Sequence, residues 1–252
     1  MIKGILFDKD GTLLKFDTLW IEATRQVLPR FLEACHVQCN KNRLQRLLEV
    51  LGILGNQITG KSALAWMSYW EIAEVLVREL EKEEIAVPTD AGMLLEQFYK
   101  EEVMTKNAKI EPVTELIPFF EWLKNQGIIV GIATADTKDV TMHCLKMLGI
   151  DSYFSYIGTS GKEIRPKPYT DLFDVFCRQY HLSGDETAIV GDTPADMQFA
   201  RNCGAVAVGV LSGSSKREDL EQNADFILED VSGIKTVWNK INLFSRENTC
   251  AL

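Results

Sequence analysis

Apolar and polar positions change texture twice along this chain. Gly4-Ile5-Leu6-Phe7 is an apolar run too short for a helix and suited to a buried parallel strand. From Asp17 to about Gln57 the spacing becomes helical, with Leu19, Ala23, Val27 and Phe31 on one face and RLQRLLEVLGIL repeating the habit. A third helical run from Lys61 to about Lys82 carries Leu64, Met67, Trp70, Ile72, Val75 and Leu76, and a fourth covers roughly Thr89 to Met104. No strand is expected between Lys15 and Lys109.

Beyond Pro112 the pattern alternates. Helices are expected at Pro112–Asn125, Thr137–Leu148, Tyr169–Tyr180, Pro194–Asn202 and Ser215–Gln222, several of them closed by glycine. Strands are expected at Ile128–Ala133, Tyr153–Ile157, Thr187–Val190, Val206–Val210 and Phe226–Leu228. Repeated helix–strand units imply a mostly parallel sheet with helices on both faces. The first strand belongs to that sheet. The reading is therefore an α/β protein: a Rossmann-like three-layer core, discontinuous over 1–14 and 111–252, with an all-helical domain inserted at 15–110. The tail after Lys240, NLFSRENTCAL, shows no period and is expected to fray.

Composition narrows the picture. The 252 residues are 46% hydrophobic and 25% charged, ordinary for a globular protein. A formal charge of −9 argues against nucleic acid or an anionic membrane as a bulk partner, so an anionic ligand must be held by local positive groups. No apolar run approaches the ~20 residues needed to span a bilayer, and the N-terminus lacks the pattern of a secretory signal. The cysteines at 35, 39, 144, 177, 203 and 250 complete no zinc set, which suggests reduced thiols. A cytoplasmic protein is expected. Nothing in the pattern distinguishes a monomer from a homodimer.

Candidate chemistry sits where expected strands end. Asp8-Lys9-Asp10-Gly11-Thr12 follows the first strand, and ligands of open α/β sheets bind beyond the carboxyl ends of strands. Two carboxylates there could share a proton or a cation; the plain alternative is an Asx turn. A calcium loop would need Gly and Glu where the chain has Leu13 and Leu19. Thr134 and Ala135 end the second strand beside a helix start, a natural phosphate cradle or simply a cap. Lys167 stands between Pro166 and Pro168 in a stiff loop, with Arg165 beside it as either a weaker candidate or a solvated charge. Gly191-Asp192 ends the next strand, and Thr193-Pro194-Ala195-Asp196 reads as an ordinary helix start. Gly55 to Ser62 matches G-x-x-x-x-G-K-S, but that loop works only between a strand and a helix. Lys61 is then better read as a cap-loop contact to an anion, or as part of a turn.

These four elements in this order resemble the motifs of the haloacid dehalogenase superfamily, and within it the phosphoglycolate phosphatase-like hydrolases. The likeness runs to about Leu228 and implies a catalytic core interrupted by a helical cap. It further implies a Mg²⁺-dependent phosphatase acting on a small phosphorylated metabolite through an aspartyl-phosphate. Asp8 is the implied nucleophile and Asp10 the acid/base, with Mg²⁺ held by Asp8, Asp10 (through its backbone carbonyl) and Asp192. Thr134, Ala135 and Lys167 would hold the phosphate, and Asp196 would support the metal shell or orient Lys167. Lys9 departs from the apolar residue common between the paired aspartates. The dehalogenase branch lacks an acid at the position of Asp10, so dehalogenation is not expected. Alternatives are a phosphosugar mutase of the same fold and a nucleotide-binding kinase or switch using Gly55–Ser62.

Overall fold

The computed structural model describes residues 1–58, 62–105, 108–159 and 164–249. The chain divides into two compact units, one formed by Met1–Lys15 with Glu111–Leu252 and the other by Phe16–Ile110.

The Phe16–Ile110 unit is helical. A π-helical turn at Asp17–Ile21 runs into α1 (Glu22–Ala34), followed by α2 (Lys41–Val50), α3 (Ala63–Trp66), α4 (Tyr69–Glu81) and α5 (Ala91–Val103). The helical stretch expected from Asp17 is interrupted once, between α1 and α2. His36 adopts a positive φ of 56°, and the Asn40 side chain then accepts from the Arg43 N–H, capping a new helix. The run from Lys61 is likewise split at Ser68, which forms a capping box with Glu71 and starts α4. Trp20, Tyr69 and Tyr99 cluster inside the unit, and the Thr24 and Tyr99 hydroxyls lie 2.8 Å apart. α2 is followed by an isolated bridge between Leu54 and Gln57, so a helix rather than a strand precedes the Gly55–Ser62 segment. Thr59, Gly60 and Lys61 lie outside the described residues.

The other unit holds the sheet: β1 (Gly4–Phe7), β2 (Ile129–Thr134), β3 (Tyr156–Thr159), β4 (Thr187–Gly191), β5 (Val206–Val210) and β6 (Phe226–Leu228). All pairings are parallel and the order is β3-β2-β1-β4-β5-β6. Its helices are α6 (Leu116–Asn125), α7 (Lys138–Met147), α8 (Asp171–Tyr180), α9 (Pro194–Asn202), α10 (Arg217–Leu220) and α11 (Ile234–Thr249). Alternate strand residues point to opposite faces. Ile5, Phe7, Ala188, Val190, Val206 and Val208 pack with Phe119, Phe120, Leu145 and Ile241 on one side. Leu6, Ile189 and Ala207 pack with Phe176, Met197 and Phe199 on the other. Burial on both faces explains why the strands read as continuous apolar runs. The fold is a Rossmann-like three-layer α/β core.

Two sequence expectations need correction here. β3 starts at Tyr156 rather than Tyr153, because Asp151–Tyr153 forms a 3₁₀ turn that stacks the Tyr153 ring on Phe120 at 5.6 Å. The C-terminal tail does not fray at Lys240: α11 continues to Thr249. Val237, Trp238, Ile241 and Phe244 carry its apolar stripe against the sheet layer, with Trp238 edge-on to Trp122. The stripe continues across Lys240. Among the described residues no helix is long and apolar enough to cross a membrane.

Ile241 is 1% exposed, so truncating it should leave a cavity. Ile241→Ala is expected to lower stability by about 2–4 kcal/mol in urea unfolding, whereas a frayed tail would give no measurable loss.

Candidate active site

β1 and β4 are neighbours at the point where strand order reverses, which is where α/β sheets bind ligands. The Asp8 N–H donates to Val190 O at 2.8 Å, locking the end of β1 against the end of β4. Register pairs Phe7 with both Ile132 and Val190, so Asp8, Thr134 and Asp192 leave three adjacent strands within two residues of one level.

Lys167 reaches this point from the loop before α8. Its Nζ lies 2.6 Å from Asp8 Oδ1 and 2.5 Å from Asp196 Oδ1. Asp196 divides its two oxygens: Oδ2 accepts from the Thr193 N–H at 3.0 Å and hydroxyl at 2.6 Å, capping α9, while Oδ1 accepts from Lys167. Asp192 is fully buried. Its Oδ2 accepts from the Ser214 N–H at 2.8 Å and hydroxyl at 3.0 Å, and its Oδ1 from Thr12 at 3.3 Å. Two glycines close around it. A Cβ on Gly11, whose φ is 83°, would stand 2.6 Å from Asp192 Oδ2, and one on Gly213 only 2.0 Å away.

Carboxylate oxygens of Asp8, Asp192 and Asp196 all lie within 4.8 Å of one another. The Asp10 side chain is outside that group. Its two oxygens face the Lys9 ammonium at 2.8 and 2.7 Å, and Lys9 also lies 3.0 Å from Asp136 Oδ2. Thr134 is buried, and its hydroxyl accepts from the Asp136 N–H at 3.2 Å; Ala135 is half-buried beside it. Arg165 is well exposed, with its guanidinium paired with Asp171 at 2.9 Å and lying over the Tyr169 ring.

Burial pushes the Asp8 carboxyl well above its usual range despite Lys167, with Asp196, Asp192 and Asp10 pushing it further. Burial likewise lifts Asp192 to about 7, aided by Asp196 and opposed by Ser214 and Lys167. For Lys167 burial works against the charged form, but Asp196 and Asp8 outweigh it and hold the ammonium protonated. If all ionise, three carboxylates and one ammonium leave two negative charges unmatched in a buried space. Hard oxygen donors with that deficit fit a divalent cation of the magnesium class.

A haloacid dehalogenase-like hydrolase family model matches residues 5–210, most of the chain. The chain belongs to that family. It is 23% identical to a glyceraldehyde 3-phosphate phosphatase of Methanocaldococcus jannaschii over 92% of this chain and 94% of that one. It is 24% identical to pyrophosphatase PpaX of Bacillus mycoides over 96% and 99%. A crystal structure described as a predicted phosphoglycolate phosphatase from Haemophilus somnus 129pt superposes with a TM-score of 0.71 at 20% identity, covering 94% and 98%; this likeness is one of fold.

For a hydrolase of this family, sequence reasoning overlooked the loop after β5. Ser212 donates to Gly11 O at 2.8 Å, and Gly213 and Ser214 form the wall around Asp192. A signal was present, since Leu211-Ser-Gly-Ser-Ser215 is a turn-forming cluster at the carboxyl end of an apolar strand.

The raised carboxyls make stability pH-dependent. Asp192 moves from an ordinary value of 3.8 to about 7 on folding. Its folded form therefore binds a proton that the unfolded chain has released, and metal-free protein should lose stability as pH rises through that window. The expected slope is at most about 1.4 kcal/mol per pH unit from this group. Urea unfolding in EDTA from about pH 5 to about pH 7.5 measures it, and Asp192→Asn should flatten it.

Proposed function

We propose that this hydrolase is a Mg²⁺-dependent phosphatase that cleaves a small organic phosphate monoester through an aspartyl-phosphate. The observation that carries the reading is the Asp8–Lys167–Asp196 bridge beside buried Asp192. It fixes a nucleophilic carboxylate against a permanent cation where negative charge must be tolerated.

In this mechanism an Asp8 oxygen attacks phosphorus, forming an O–P bond as the bond to the ester oxygen breaks. Asp10 gives its proton to the departing oxygen, which leaves as an alcohol. Asp10 then takes a proton from a water that attacks the phosphorus. The Asp8–phosphorus bond breaks, releasing inorganic phosphate and restoring the carboxylate. Lys167 and Thr134 hold the non-bridging oxygens, with the Asp136 N–H already fixing the threonine hydroxyl. Asp8, Asp192 and the Asp10 carbonyl would hold Mg²⁺, which supplies Lewis-acid neutralisation of the phosphoryl charge. Asp196 keeps Lys167 in place. The Phe16–Ile110 unit takes the cap role in this reading and selects the substrate. The names of the relatives support a small phosphate or pyrophosphate as that substrate, with phosphoglycolate the lead from motif resemblance.

Purified protein is expected to release p-nitrophenol from p-nitrophenyl phosphate with Mg²⁺ and to stop in EDTA. Asp8→Asn should fall to the no-enzyme background; turnover surviving in that variant would exclude Asp8 as nucleophile. Phosphoglycolate, glyceraldehyde 3-phosphate and pyrophosphate then rank the substrate by kcat/KM.

A further inference from the structure

Lys9 is among the largest fully buried side chains of the protein, at 0% exposure. A buried ammonium is strongly unfavourable unless paired, and even a paired one is often no better for stability than an apolar side chain of similar size. Its partners are therefore informative. Both oxygens of Asp10 face Nζ, at 2.8 and 2.7 Å, and Asp136 Oδ2 holds Nζ from a second direction at 3.0 Å. Asp136 is itself anchored at the start of α7. Its Oδ1 accepts from the Thr137 N–H at 2.7 Å, and its own N–H donates to the Thr134 hydroxyl. A connected chain thus runs from the α7 terminus through Asp136 and Lys9 to the carboxylate of Asp10. Asp136 gives the ammonium a second ion-pair partner besides Asp10.

We propose that Lys9, held by Asp136, is a positioning residue that sets the plane of the Asp10 carboxyl so that its proton is aimed at the departing ester oxygen. The inference rests on the acid role given to Asp10 above. Proton delivery works only within hydrogen-bond reach, and a carboxyl free to rotate spends much of its time misdirected. In that reading the phosphate and Mg²⁺ contacts come from Asp8, Lys167, Thr134, Asp192 and the Asp10 backbone carbonyl, none of them the Lys9 side chain, so loss of the ammonium should leave those groups in place.

Leaving-group dependence separates this role from a structural one. A poor leaving oxygen needs the proton; a good one does not. kcat/KM, which reports steps up to phosphoryl transfer, would be measured for phenyl, p-nitrophenyl and 2,4-dinitrophenyl phosphate with Mg²⁺. Asp10→Asn is expected to lose about 10²–10⁴-fold on phenyl phosphate and far less on the dinitrophenyl ester. Lys9→Met should follow the same trend, losing roughly tenfold to a hundredfold on phenyl phosphate and under about threefold on the dinitrophenyl ester. Asp136→Asn should steepen the dependence in the same direction by less, and it decides the matter alone if Lys9→Met does not fold. Equal losses across the three esters in the Lys9 and Asp136 variants, with Asp10→Asn still steep, would overturn the assignment and leave Lys9 a structural ion pair. A flat series for Asp10→Asn would instead remove the acid role itself, and the positioning role with it.

Discussion

Like charge concentrated in a buried place is the constraint on which this structure turns. Asp8, Asp10, Asp136, Asp192 and Asp196 gather at the carboxyl ends of three neighbouring strands, and buried carboxylates repel one another and resist losing water. The protein meets this with two enclosed ammonium groups, each shared by two carboxylates. Lys167 joins Asp8 to Asp196, and Lys9 joins Asp10 to Asp136. Asp192 has no such partner among the described contacts and relies on Ser214 and Thr12 as donors. Burial lifts it to about 7, and a divalent cation would relieve that penalty.

The sheet makes that concentration possible. β1 and β4 are adjacent although some 180 residues apart in sequence, as the Gly4–Thr187 pairing records. Phe7 meets Phe119 and Phe120 edge-on at 5.9 and 5.6 Å immediately before Asp8, so the strand end carrying that carboxylate is fixed by dense packing. Electrostatic strain at the strand tips is supported by apolar burial below them, and the two cannot be separated energetically: loosening the core layer would let the carboxylates move apart.

Small residues complete the arrangement. Gly11 and Gly213 leave no room for a side chain against Asp192, while Ser212 ties its loop back to the Gly11 carbonyl. The loops after β1 and β5 thus close on the carboxylate that follows β4, and each depends on the others for its hydrogen bonds.

Much of this was legible in the sequence because it is local chemistry. Short apolar runs ending in Asp8, Thr134 and Asp192 marked strand ends, a lysine between prolines marked Lys167, and Thr193-Pro194 with Asp196 marked the start of α9, whose bounds match expectation residue for residue. The helical breaks at His36 and Ser68 were harder to read, since apolar periodicity persists across them and only a cap or a positive φ interrupts the backbone. The C-terminal helix was missed because its stripe gains meaning only against Trp122 and Phe226. Pairings across the fold were beyond sequence altogether. Nothing local says that Lys9 is buried, that Asp136 shares it, or that Ser214 holds Asp192, because each contact joins residues brought together by the parallel sheet. The order of residues determined which groups stand at strand ends; the tertiary structure decided which of them share an ammonium or a hydrogen bond, because burial and distance set those interactions and neither exists before the strands pair.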